Sequence, residues 1–123
     1  MSIDLNAWRK VVRQVVLAIS DENLQRRAWF GFGPEVSSPD EVFCQLFGDA
    51  AIEDFLKRGD TGLSDQQLDA GKYLLTLMRK LSDETPSHIQ PASLIDDPRW
   101  REVREAAARF STILAEGGGH AEE

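Results

Sequence analysis

The stretch SSPDEVFCQLFGDAAIEDFL, residues 37–56, decides the fold class. Ser38 is a helix-capping residue type, Pro39 suits the first helical position, and Glu41 stands three residues after the serine, the spacing of a capping box. A helix therefore starts here, and Val42, Phe43, Leu46 and Phe47 recur at the spacings of one helical face. Gly48 and Asp49 are expected to break or kink it before Ala50, Ile52, Phe55 and Leu56 resume the apolar pattern, which runs out at Gly59. Cys44, inside this helix, is expected to be a buried and inert packing residue.

The same grammar extends in both directions. Asp4 caps a helix whose apolar residues are Leu5, Trp8, Val11, Val12, Val15, Val16 and Ile19, while Arg9, Lys10 and Arg13 form its solvated face. Ser20 and Asp21 cap a second helix that ends at Gly31, and the Gly31, Phe32, Gly33, Pro34 turn cannot continue it. A phosphate-binding loop there would need a following helix start and a lysine, and Glu35 follows instead. Toward the C-terminus, Ser64 and Gln67 form another capping box for a helix carrying Leu68, Leu74, Leu75, Met78 and Leu81, in which Gly71 permits close approach of a neighbour. Periodicity fades from Ser82 to Ile95, where Pro86 and Pro91 mark a long connection with a short turn near Leu94 and Ile95. Asp97 and Pro98 open a last helix through Trp100, Val103, Ala107, Phe110, Ile113 and Leu114, expected to stop at Gly117.

No segment alternates with the period of two that a strand requires. The reading is an all-α, single-domain bundle of about five to six helices over residues 1–116, with residues 117–123 as a disordered tail. A length of 123 residues with 41% hydrophobic and 28% charged side chains suits one self-sufficient core. One cysteine allows no internal disulfide, no signal-peptide pattern opens the chain, and no apolar run approaches the ~20 residues of a membrane span, so a cytoplasmic protein is expected.

Chemistry-bearing groups are sparse. A nucleophilic Cys44 would need a histidine base, and His88 and His120 are the two histidines of the chain, both far off in sequence. These residues have no zinc spacing, no Glu-x-x-His occurs, and neither a metal nor a cofactor is expected. Asp49 with Glu53, and Asp65 with Asp69, are carboxylate pairs four apart; general acid–base use is the catalytic alternative, whereas Glu53 before Lys57 and Asp65 in a first helical turn are explained by ion pairing and the helix dipole.

Charge distribution says more. Residues 31–69 hold two basic side chains, Lys57 and Arg58, against nine acidic ones: Glu35, Asp40, Glu41, Asp49, Glu53, Asp54, Asp60, Asp65 and Asp69. That local balance of −7 equals the net charge of the whole chain. Such a field disfavours nucleic acid, whose phosphates need Lys and Arg, and favours a cationic protein partner. The candidate partner-binding residues are Asp40, Glu41, Asp49, Glu53, Asp54, Asp60, Asp65 and Asp69. Next to them, Trp29, Phe30 and Phe32 are either core or an aromatic hot spot, with burial favoured.

The run from Asn23 to Leu56 resembles a family of small helical bacterial immunity proteins paired with contact-dependent growth inhibition toxins. The resemblance is carried by Gln25, Ala28 and Trp29, by the serine-capped helix from Ser38 with Glu41, by Leu46 and Phe47 before Asp49, and by the Ile52, Phe55, Leu56 helix. Asp97, Pro98, Arg99 and Trp100 are similar to the entry of that family's last helix. The resemblance implies a bacterial cytoplasmic protein that binds a toxin domain, often a nuclease, and blocks it without catalysis; the acidic charge pattern independently favours a basic toxin, and a monomer or weak homodimer is expected. The alternative is a helical adaptor or homodimeric scaffold with no toxin partner.

Overall fold

The computed structural model describes residues 4–31, 37–59, 61–84 and 90–121, with side chains described through residue 115. Among the described residues seven α-helices follow in order: α1 (Leu5–Ser20), α2 (Glu22–Phe30), α3 (Pro39–Cys44), α4 (Ile52–Lys57), α5 (Asp65–Glu84), α6 (Pro91–Ile95) and α7 (Pro98–Ala121). No strand occurs among the described residues, so the fold is all-α. About five to six helices were expected; those read from the sequence are present, and α6 is the short turn near Leu94 and Ile95. The last helix continues past Gly117 to Ala121, where the glycines were expected to stop it. Extending a formed helix needs no new nucleus, which makes this cheaper than starting one. Among the described residues no helix is long and apolar enough to cross a membrane.

Caps fix the helix ends as their residue types dictate. Asp4 Oδ1 accepts from Ala7 N–H at 3.1 Å and Asp21 Oδ1 from Leu24 N–H at 3.0 Å. Gly31 closes α2 in the left-handed region, φ 78°, donating to the Arg27 carbonyl. At α5 the capping box is complete: Gln67 N–H donates to Ser64 Oγ at 3.1 Å, and Ser64 N–H donates to Gln67 Oε1 at 2.8 Å. At α3 half of the expected box forms. Glu41 N–H donates to Ser38 Oγ at 3.1 Å, but the Glu41 residue is exposed.

Helix α7 is the centre of the molecule, packed along both α5 and α1. Val12, Val16, Ile19, Leu46, Ile52, Phe55, Leu74, Met78, Trp100 and Phe110 are buried around it. The valine-rich face of α1 is thus held by burial, as valine's modest helix propensity requires. Gly71 faces α4 and α7 so closely that an added Cβ would stand 2.7 Å from Leu56 Cδ2 and 2.9 Å from Phe110 Cζ.

A polar knot joins three helices inside this core. Gln25 Nε2 donates to the Ala18 and Ile19 carbonyls at 2.9 and 2.7 Å, and Gln25 Oε1 accepts from Trp100 Nε1 at 3.0 Å. All three polar functions of a buried amide are thereby used, which removes the cost of burying it. At the surface beside it, Arg26 binds Glu22 and Asp96, each at 2.8 Å, and Arg104 binds Glu22 at 3.3 Å and the Ile95 carbonyl at 3.0 Å.

The Glu22 carboxyl is held below its ordinary value of 4.5, first by the hydrogen bond from Arg26 and then by the charge of Arg104. A group depressed in the folded state adds stability above its unfolded pKa and loses it as pH falls through the folded one. Glu22→Gln is therefore expected to make the fall in stability below pH ~4.5 shallower, read from urea midpoints at successive pH values. An acid limb as steep as that of the wild type would contradict it.

Candidate functional site

The acidic segment is built from α3, a π-helical turn over Gln45–Asp49, and α4. Proline and serine start α3, and Asp40 and Glu41 lie in its first turn, where the helix dipole favours negative charge. The π turn closes with Ala50 N–H donating to the Gln45 carbonyl at 2.7 Å. Ala51 follows in the left-handed region, φ 44° and ψ 52°, and α4 restarts from it without a side-chain cap. The kink or break expected at Gly48 and Asp49 thus lies within the π turn, and the left-handed residue follows two positions later, at Ala51. What holds it there is Trp8 of α1, whose Nε1 donates to the Ala50 carbonyl at 2.7 Å while its ring meets Phe55 edge-on at 5.3 Å.

An L-residue in this region costs about 1–2 kcal/mol, and glycine restores about 0.4–1 kcal/mol of unfolded-state freedom, so Ala51→Gly is expected to raise stability by about 0.5 kcal/mol in urea denaturation. A loss of stability would mean that the turn is not strained.

Three acidic side chains of the segment stand free. Glu41, Asp49 and Asp54 are exposed, and none forms an ion pair with the described residues. Asp40 is half-buried beside Glu41. Glu53 differs: it is paired with Arg79 of α5 and with Lys57 at 3.7 Å. The Arg79 guanidinium also lies over the Phe47 ring, 5.9 Å from its centroid. Phe47 is half-buried and is the apolar side chain of the π turn that reaches the surface. Local strain of this kind, a π turn followed by a left-handed alanine, concentrates at functional segments.

Asp65 and Asp69 do not join this group around Arg79. They lie ten to fourteen residues earlier on α5, about 15–21 Å along its axis. Asp65 occupies the first turn of α5, and Asp69 borders a groove between α5 and α7. Asp60 lies outside the described residues, as do Glu35, Phe32, Pro86 and His88.

Position corrects the readings of Cys44 and Arg9 and bears out the burial expected of Trp29. Cys44 is exposed, because it is one residue past the inward-facing Phe43 and so turns about 100° away from the core. Arg9 is not simply solvated: its guanidinium donates to the buried Thr61 backbone carbonyl. Trp29 is buried against Trp100, with ring centroids 5.6 Å apart, so it belongs to the core, while Phe30 is exposed. Gln25 escaped notice as a buried residue, although its spacing to Ala28 and Trp29 places it on their apolar face.

Of the carboxylate pair Asp49 and Glu53, Asp49 is exposed and Glu53 is paired with Arg79 and Lys57. No three His, Cys, Asp or Glu side chains cluster in metal-binding fashion among the described residues. What the segment provides is three exposed carboxylates, those of Glu41, Asp49 and Asp54, without ion pairs to the described residues. No family model, curated protein or solved structure matches the chain.

Proposed function

We propose that this chain is an immunity-type protein that binds a basic bacterial toxin domain stoichiometrically and neutralises it without catalysis. The observation that carries the reading is the set Glu41, Asp49 and Asp54 of the α3–α4 segment, exposed and without ion pairs to the described residues. A nuclease presents Lys and Arg to phosphate, and a protein covering that surface needs carboxylates that its own cations have not consumed. The resemblance of residues 23–56 to contact-dependent growth inhibition immunity proteins points the same way, and with it a cytoplasmic site of action.

On this reading binding has two stages. The free carboxylates steer the encounter over a distance of about a screening length. Phe47 and Glu53 then meet the partner at short range, where an incoming arginine competes with Arg79 for the same carboxylate and the same ring. The direct test is a pull-down with the C-terminal domain of a large toxin encoded beside this chain. A one-to-one complex that abolishes the toxin's activity is expected; failure of the folded domain to bind at any salt concentration would remove the immunity reading for that pair.

A further inference from the structure

We propose that the face of α5 and α7 around Tyr73 is a self-association surface that pairs with the same face of a second copy of this chain. It is distinct from the α3–α4 surface and does not depend on it. Here α5 and α7 leave a groove of about 380 Å³ between Gln66, Asp69, Ala70, Tyr73, Ala106 and Arg109. Ala70 and Ala106 are its small, partly or fully buried members, and Tyr73 stands beside them 54% exposed, the most exposed large apolar side chain of the described residues. A projecting ring and a shallow recess thus share one face. That combination is what a two-fold interface requires, since the same patch must supply both knob and hole.

Charge selects the occupant. Asp69 and Arg109 border the same groove, both are exposed, and neither forms an ion pair with the described residues. A uniformly basic partner would satisfy Asp69 and be repelled by Arg109, and a uniformly acidic one would do the reverse. A second copy related by a two-fold axis through the groove satisfies both, setting each Asp69 against the other copy's Arg109. Tyrosine at the centre with an ion pair on either side is a common composition for such a contact.

Sedimentation equilibrium on the full chain tests this over a hundredfold range of concentration, with circular dichroism confirming that each variant is folded. The wild type is expected to form a concentration-dependent dimer, and Asp69→Lys and Arg109→Glu are each expected to weaken it about tenfold or more, because each sets like charges together twice. An equimolar mixture of the two variants is expected to dimerise again, since the mixed pair matches Lys with Glu at one contact and Arg with Asp at the other. Tyr73→Ala is expected to weaken all of these dimers. A wild type that stays monomeric throughout would overturn the proposal. So would a dimer indifferent to both reversals, or a mixture no tighter than its components.

Discussion

Trp100→Ala is expected to lower the unfolding free energy by about 4 kcal/mol, within the range for deleting a buried aromatic side chain. Trp100 is fully buried, and its ring packs 5.6 Å from that of Trp29 and 6.3 Å from that of Phe43, centroid to centroid. Alanine leaves a cavity where α2, α3 and α7 meet, and strips Gln25 Oε1 of the Nε1 hydrogen bond that satisfies it. An amide oxygen orphaned in a core accounts for about 1–3 kcal/mol of that loss. Against a typical total of about 5–15 kcal/mol, that loss removes about a quarter or more of the stability.

A milder pair separates the two contributions. Trp100→Phe keeps most of the ring and loses the donor, whereas Gln25→Leu removes the acceptor and abandons the Ala18 and Ile19 carbonyls at the α1–α2 corner. The double variant is expected to be more stable than the sum of the single losses implies, by about 1 kcal/mol, because each single change leaves an unpaired group that the other removes. Urea denaturation measures all four proteins. Strict additivity would show that the Gln25–Trp100 hydrogen bond contributes nothing specific.

Gly71→Val is expected to cost about 3 kcal/mol. The new Cβ falls 2.7 Å from Leu56 Cδ2, 2.9 Å from Phe110 Cζ and 3.2 Å from Phe110 Cε1, all closer than packed atoms tolerate. Leu56 ends in a methyl group that can swing, but Phe110 is fully buried in α7 and can yield only if the α5–α7 separation grows. Overpacking costs about 1–3 kcal/mol, and the branched side chain adds two further atoms to the clash. Gly71→Ala is expected to lie closer to neutral, since alanine regains about 1 kcal/mol of helix propensity while meeting the same two neighbours. A stabilised valine variant would mean that α5 and α7 are not in close contact at this position.

The contrast between what the residues announced and what they concealed has a physical basis. Asp4, Asp21, Ser38 and Ser64 were legible because a cap acts on a backbone N–H three residues away, and Gly71 because a glycine on an apolar helical face has few other uses. The contacts that shape the acidic segment are not local. Trp8 reaches Ala50 across 42 residues, Arg9 reaches Thr61 across 52, and Arg79 crosses from α5 to Glu53. A run of carboxylates therefore reads as uniform in the sequence, whereas folding neutralises Glu53, sends Asp65 and Asp69 along α5, and leaves Glu41, Asp49 and Asp54 free. The exposure of Cys44 was readable in principle, because counting 100° per residue from Phe43 turns it outward.

The most direct test is the association rate with a basic toxin domain, measured from low to high salt for the wild type and for the variant carrying Glu41→Lys, Asp49→Lys and Asp54→Lys. The wild type is expected to associate fast and to slow steeply as salt rises; the variant is expected to associate at least about tenfold more slowly at low salt and to lose most of that salt dependence. Equal rates and equal salt slopes for the two proteins would place binding elsewhere on the molecule and contradict the assignment of the α3–α4 surface.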